Sequence, residues 1–427
     1  MRRNLYKILE NAKWSSVHNW SFIAFSLGMT LEAYIFGMSS IATNWVPMPK
    51  FLESLLLAWA PLWLIVGIAF TGPLSDKLGR KRMFYLTMSL YALGAVGITF
   101  AYEYYLILLF LAMLLFAAGG EMNTIMVMNH EIMPNRHRSK TMFFEINFIN
   151  FGGLLLAAVA LSSAYASVSF QRLMIGATAI VILLVLAYAR LKIPESIRWL
   201  EEKGDVEGAE REVKKYFKEG EEVKVEEIKN KDKKLPSIPL RLAVSTIMAG
   251  ANTIGFGLMT YVAGPYFFPQ LTATIILVAS IAEFAAGLGI SPFADRISRK
   301  LILLISFVGT ASSTAAIYLT IPLWSSNLIL FWFLLVVLNV FTSMGYLTED
   351  TLKGELWPTT KRGTYTAIVR FVSIGAYIPV IFLTAGLSIY QYMLFNFSVW
   401  FIGLIAAILW FTKGIETGKG RSLSEIS

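Results

Sequence analysis

Cysteine is missing from this 427-residue chain. Neither a disulfide nor a thiolate site is therefore available to it. Histidine is nearly missing too. His18, His130 and His137 are the only three, and they form no HExxH-type pair, so no metal site and no cofactor are expected. Charge is scarce: 15% of residues are Asp, Glu, Lys or Arg, where soluble domains carry about 25%. That excludes a string of small soluble domains. No GxxxxGK[ST] phosphate cradle occurs, which excludes an ATP-driven pump built on one. No small-residue cleavage site follows the first apolar run, so it reads as a permanent span and not as a removable signal. Catalytic constellations are lacking as well, and an enzyme is not expected.

What the chain has instead is apolar length. Hydrophobic residues make up 56%, gathered in runs of about 20, enough to cross a ~30 Å hydrocarbon core as helices. Twelve runs are read, at 18–43, 51–72, 83–102, 104–129, 141–165, 171–191, 239–263, 269–293, 301–321, 326–348, 364–387 and 391–411. The fold class is an all-α membrane protein with twelve transmembrane helices in the cell membrane. The net charge of +9 is a matter of topology, not of nucleic acid. With the N-terminus inside, the outer loops hold Lys50 and Arg172 and a helix holds Arg370. Every other Lys and Arg then falls on one side. Excess Lys and Arg mark the cytoplasmic face, which places both termini there.

One long polar stretch, at about 199–238, divides the chain. In it, Asp205 is placed to cap a surface helix by accepting backbone N–H bonds. Val206, Ala209, Val213 and Phe217 give that helix an apolar stripe. The two sides of the divide repeat one another. Asp76-x-x-Gly79-Arg80-Lys81 returns as Asp295-x-x-Ser298-Arg299-Lys300 at an offset of 219, and Glu131-x-x-Pro134-x-x-x-Arg138 returns as Glu355-x-x-Pro358-x-x-x-Arg362 at 224. The expected plan is two pseudo-symmetric six-helix bundles, 1–198 and 239–412, with the linker 199–238 between them and a tail at 413–427. Parallel repeats of this kind pack about an axis along the membrane normal, with a site near the midplane.

These motifs carry a resemblance. Gly72-x-x-x-Asp76-x-x-Gly79-Arg80-Lys81 resembles the loop signature of the major facilitator superfamily. "PESIRWL" from Pro194, "ELWPTTKRG" from Glu355 and the tail "IETGKGRSLSEIS" from Ile415 are similar to its sugar-porter and organic-ion branches. "GGEM" from Gly119 is similar to the aromatic-acid and synaptic-vesicle-type branches. The resemblance implies a cytoplasmic gate of paired charges: Arg80 with Glu131, Arg299 with Glu355, extended by Arg138, Glu195, Arg198, Arg362 and Glu416, with Asp295 in the second loop; Asp76, at the membrane boundary, can face a helix N-terminus, where negative charge is favoured. The chain also departs from the pattern. Ser298 stands where the loop has Gly, and Ser139 where Gly often follows Arg138. Leu111 stands where helix 4 has an arginine. Thr246 and Ile247 stand where sugar porters have a glutamine pair, which speaks against a hexose.

Charge within the spans costs about 2.5–3.5 kcal/mol per residue at the bilayer centre and so marks a cavity or a partner. Glu32, Glu121, Glu145, Glu283 and Arg370 are the candidates, with Asn252 beside them, for a substrate or proton pathway. Glu145 and Arg370 fall at nearly equivalent places in the two halves and are expected to pair, Glu32 and Glu145 are the expected proton carriers, and Arg370 favours an anion. Tyr34 and Tyr261 are candidate cavity residues. The function expected is secondary transport of a small organic solute (a carboxylate, sugar acid or sugar-like metabolite) by alternating access with proton symport. A uniporter and a non-transporting membrane sensor are the alternatives. The partners expected are that solute, protons and the lipid bilayer, with no nucleic acid, and the chain is expected to be a monomer.

Overall fold

An apolar run in lipid must satisfy its own backbone, and a helix does so within one segment. The computed structural model describes residues 12–134, 137–216, 236–294, 296–357 and 362–417. Among these, twelve helices are long and apolar enough to cross a membrane. They are α1 (Ser16–Ala42), α2 (Lys50–Leu78), α3 (Arg80–Phe100), α4 (Tyr104–Ile132), α5 (Arg138–Ser163) and α6 (Val168–Arg190). The second set is α7 (Ile238–Gly257), α8 (Thr272–Ile290), α9 (Arg299–Leu319), α10 (Ile329–Glu355), α11 (Arg362–Thr384) and α12 (Ile389–Lys413). Counting crossings, the start of α1 and the end of α12 share one side, whose helix ends are called the near ends.

Helix α7 does not stop at Gly257. It continues through a π-helical turn, Leu258–Val262, into Ala263–Phe267. A π turn loosens the regular hydrogen-bond ladder and needs outside partners. They come from α12: the Asn396 amide donates to the Gly255 carbonyl at 2.9 Å, and the Tyr392 hydroxyl to the Leu258 carbonyl at 2.7 Å.

The polar stretch forms two short helices, Ile197–Glu202 and Val206–Tyr216. Asp205 caps the second as expected, its carboxylate accepting the Gly208 N–H at 2.9 Å. Ala209 and Val213 are buried while Val206 is exposed, so the apolar stripe is narrower than its spacing suggests. Phe217 lies outside the described residues.

Two compact units result. The first comprises 1–36, 63–152 and 163–229; the second comprises 37–62, 153–162 and 230–427. The packing units therefore cut across the repeat. The far parts of α1, α2 and α5 cluster with the second half. In the first unit α3 packs on α4 and α6. Its spans meet at close range where side chains are absent. A Cβ on Gly152 of α5 would collide with the Thr30 carbonyl of α1, and one on Gly119 of α4 with the Leu64 carbonyl of α2. In the second unit α9 packs on α10 and α12, α8 on α10, and α7 on α11 and α12. The Tyr266 hydroxyl there donates to the Ile381 carbonyl at 2.9 Å and lies 2.9 Å from the Ser54 hydroxyl. Lys50 stands 4.1 Å over the same ring, and Asn44 donates to the Pro269 carbonyl at 3.1 Å.

Candidate functional site

The near end of each unit carries one charged corner, and both are built the same way. In the first unit α2 turns into α3 at Gly79, with φ 92°. That backbone region suits glycine, and the space is also taken: a Cβ would lie 2.9 Å from the Glu195 carboxylate and 3.1 Å from the Trp199 ring. Glu195 thereby reaches the start of α3, accepting the backbone N–H groups of Arg80 and Lys81, each at 3.1 Å. A carboxylate at a helix N-terminus is favoured by the helix dipole. The Arg80 guanidinium donates to the Ser75 carbonyl at 3.1 Å and lies 3.9 Å from Glu131. Glu131 also accepts from the Ser196 hydroxyl at 2.5 Å. Finally, the Glu195 N–H donates to Glu212 of the linker helix at 3.1 Å, which ties that helix to the corner.

In the second unit Arg299 pairs with Glu355 at 3.4 Å and donates to the Ala294 carbonyl. Glu416 accepts the Arg299 N–H at 2.9 Å, and the Thr417 hydroxyl donates to Glu355 at 2.5 Å. Glu195 and Ser196 thus have counterparts in Glu416 and Thr417, 221 residues on. The departure at Ser298 has a physical reason. Ser298 is the N-cap of α9 with φ −65°, its oxygen accepting the Leu301 N–H at 3.2 Å while its hydroxyl donates to Glu416. Where the first corner makes room with glycine, the second adds a hydrogen bond.

The other corner residues are less engaged. Arg138 donates to the Met133 carbonyl at 3.3 Å. The side chains of Asp76, Arg198 and Arg362, and the whole of Asp295, lie outside the described residues. Burial pushes the Glu355 carboxyl above its ordinary value, with the Arg299 guanidinium opposing the shift.

Deeper in the spans the six pathway candidates sort by partner. Glu121 is 1% exposed and forms an ion pair with Arg190, the last residue of α6. It also accepts from Thr87 at 3.3 Å, and the Arg190 guanidinium stands 3.2 Å over the Phe84 ring. Gly28 of α1 leaves the space, since a Cβ there would lie 2.8 Å from Glu121. Tyr91 lies in the field of Glu121, Glu32 and Arg190, which brings Glu32 to the same cluster. Glu145 is fully buried and accepts from the Asn129 amide at 2.5 Å through one oxygen; the other has no hydrogen bond.

In the second unit Arg370 is 3% exposed and pairs with Asp350 at 3.4 Å. Lys353 holds Asp350 at 2.7 Å and Glu349 at 2.9 Å, which makes a buried cluster of four charges. Glu145 and Arg370, expected to pair with each other, each have a partner within their own unit. Glu283 is 3% exposed, with one carboxyl oxygen buried and not hydrogen-bonded. Neither amide atom of Asn252 has a hydrogen-bond partner among the described residues. Both lie against the middle of α10. The Ser343 hydroxyl donates to the Glu283 carbonyl at 2.8 Å, and Asn252 is 3.4 Å from where a Gly345 Cβ would be. Tyr34 donates to the Ile175 carbonyl at 2.8 Å, and the Tyr261 ring packs on Phe256.

Sequence reasoning missed Arg190, although it falls inside the apolar run 171–191. It missed Glu349, Asp350 and Lys353 because the tenth run was ended at 348, seven residues before α10 ends. Their i, i+3 and i, i+4 spacing was the available signal. Among the described residues, no group of His, Asp or Glu is arranged to hold a metal.

Comparison with known proteins identifies the family. The family "Sugar (and other) transporter" matches residues 17–427. The glucose transporter GlcP of Staphylococcus epidermidis is 29% identical over 450 residues, covering 95% of both chains. The probable metabolite transport protein CsbC of Bacillus subtilis is 26% identical over 439 residues, 94% of this chain and 92% of its own. Among solved structures, the major facilitator proton:xylose symporter XylE bound to 6-bromo-6-deoxy-D-glucose superposes with a TM-score of 0.75. It is 18% identical, with 96% of this chain and 98% of that one covered.

Proposed function

The chain belongs to the sugar (and other) transporter family of the major facilitator superfamily, and from that premise we propose that it carries a neutral, sugar-like metabolite together with a proton by alternating access. It is a multi-pass membrane transporter of small solutes and not an enzyme. The bias of Lys and Arg supports cytoplasmic termini.

One contrast carries the proposal. Of the arginines buried in the spans, Arg190 and Arg370 are paired with acids, while Arg172 and Arg241, each near the end of its helix, donate to the Ala101 and Leu356 carbonyls. Among the described residues, Glu145 and Glu283 have no cation. An anionic substrate needs a free cation, and the pairing of Arg370 with Asp350 removes the ground on which Arg370 favoured one. A carboxyl buried without a counter-charge is expensive as an ion, and taking up a proton relieves the cost. Sugar hydroxyls donate hydrogen bonds, and the bare oxygens of Glu283 and Asn252, both in the second unit, accept them. The glucose and xylose named for the relatives are solutes of that kind. The paired corners supply the second requirement, a gate. Several such pairs together bias two states a few kcal/mol apart.

The test is uptake into proteoliposomes of glucose, xylose and glucuronate, with and without an imposed pH gradient. Neutral sugar flux is expected to rise with the gradient, and Glu145→Gln to abolish that rise while sparing sugar exchange at equilibrium. Flux indifferent to the gradient removes the symport, and a preference for glucuronate removes the neutral substrate. Binding without flux indicates a sensor.

A further inference from the structure

A groove of about 330 Å³ opens between the start of α1 and the start of α5, lined by Trp14, Phe22, His137, Lys140, Thr141 and Phe144. Its lining residues take no part in the charged corner. Its floor is aromatic and its rim basic, with no acid among the lining residues. Trp14 is 39% exposed, and its indole N–H is already engaged with the Asn19 side chain at 2.7 Å. What Trp14 offers the groove is therefore ring surface. That ring is fixed by His18 at 5.3 Å and by the edge of His137 at 5.4 Å. Lys140 is exposed, with no ion-pair partner among the described residues.

Position adds the rest. Ser16 and Arg138 begin their spans here, so the groove sits where hydrocarbon gives way to headgroups. Tryptophan is enriched at that level, and basic residues there attract acidic lipid. We propose that the groove binds an acidic phospholipid of this leaflet, one acyl chain against Trp14, Phe22 and Phe144 and the headgroup phosphate against Lys140 and His137. Charge complementarity selects the occupant: an apolar slot with a cationic rim matches an anionic amphiphile and leaves a zwitterionic one without its second contact. The lipid would steady the first turn of α5, which carries Arg138.

The full chain is reconstituted in phosphatidylcholine vesicles containing brominated phosphatidylglycerol or brominated phosphatidylcholine. Quenching of Trp14 is isolated by subtracting a Trp14→Phe variant. Half-maximal quenching is expected at an about fivefold lower mole fraction of the brominated phosphatidylglycerol. Lys140→Glu should abolish that difference with an unchanged melting temperature. Should Lys140→Glu not fold, Lys140→Gln is read the same way, with a smaller loss of preference. Equal quenching by both lipids, a preference that survives at Lys140, or no quenching by either would overturn the proposal. The last outcome would mean that something other than lipid fills the groove.

Discussion

Glu121→Gln is the sharpest probe of the first unit. Glutamine keeps the shape of the side chain and removes its charge. Arg190, 3% exposed on its side chain, is then left with a buried guanidinium between Phe84 and an amide. Breaking a buried pair from one side costs about 3–5 kcal/mol, because the remaining charge is neither solvated nor neutralised. At 1.4 kcal/mol per tenfold, that is roughly two to four powers of ten in the folded-to-unfolded ratio. Replacing both partners is different. Glu121→Gln with Arg190→Met removes both charges, and a buried pair exchanged for neutral side chains is often neutral or stabilising. The double variant should therefore be more stable than Glu121→Gln alone. Unfolding in detergent micelles, followed by tryptophan fluorescence, measures all four corners of the cycle. A single variant within about 1 kcal/mol of wild type, or a double variant as unstable as the two singles added, would refute the reasoning. Either result would mean that Arg190 finds water or another acid, and that the pair is not what holds it.

Two further outcomes follow from the geometry. Gly152→Ala places a methyl against the Thr30 carbonyl. Since backbone cannot rotate away as a side chain does, it should lower stability by about 1–3 kcal/mol; a melting temperature equal to wild type would show that α1 and α5 have room to part. Glu355 gives a pH dependence whose sign is the reverse of an ordinary salt-bridged carboxylate. Its value is raised when latched, by burial first, so the latched form holds the proton more tightly than the unfolded one. The stability this contributes is complete below the ordinary glutamate value and is lost as pH rises through the raised one. The difference in melting temperature between wild type and Glu355→Gln should therefore shift in favour of wild type on acidification from pH 7 to pH 5. A shift the other way would mean that attraction to Arg299 outweighs burial.

The twelve spans were legible because each is a run of the length that lipid demands. The corners were legible because duplication printed them twice: Arg80 with Glu131 and Arg299 with Glu355 could be matched by offset before any distance was known. The partners of the buried charges were hidden for two reasons. Arg190 reaches Glu121 across 69 residues, and no periodicity connects the ends of two different spans. Asp350 and Lys353 fell outside the tenth run because a hydropathy run stops at the first charges, while the helix that bears them goes on to Glu355. Ser196 and Thr417 escaped notice as unremarkable hydroxyls, and only their common position beside Glu131 and Glu355 shows their use. The grouping of the far parts of α1, α2 and α5 with the second half was out of reach for another reason. The repeat records ancestry, and packing records the conformation adopted.

The two corners also differ in when a ribosome can finish them. Glu195 and Ser196 emerge before α7 has begun, so the first corner has all its parts while half the protein is still unmade. Arg299 and Glu355 must wait for Glu416 and Thr417, which are translated only after α12. Since segments fold as they emerge, the second corner closes after the first, and a chain cut short just after α12 would keep every span yet lack its fastening.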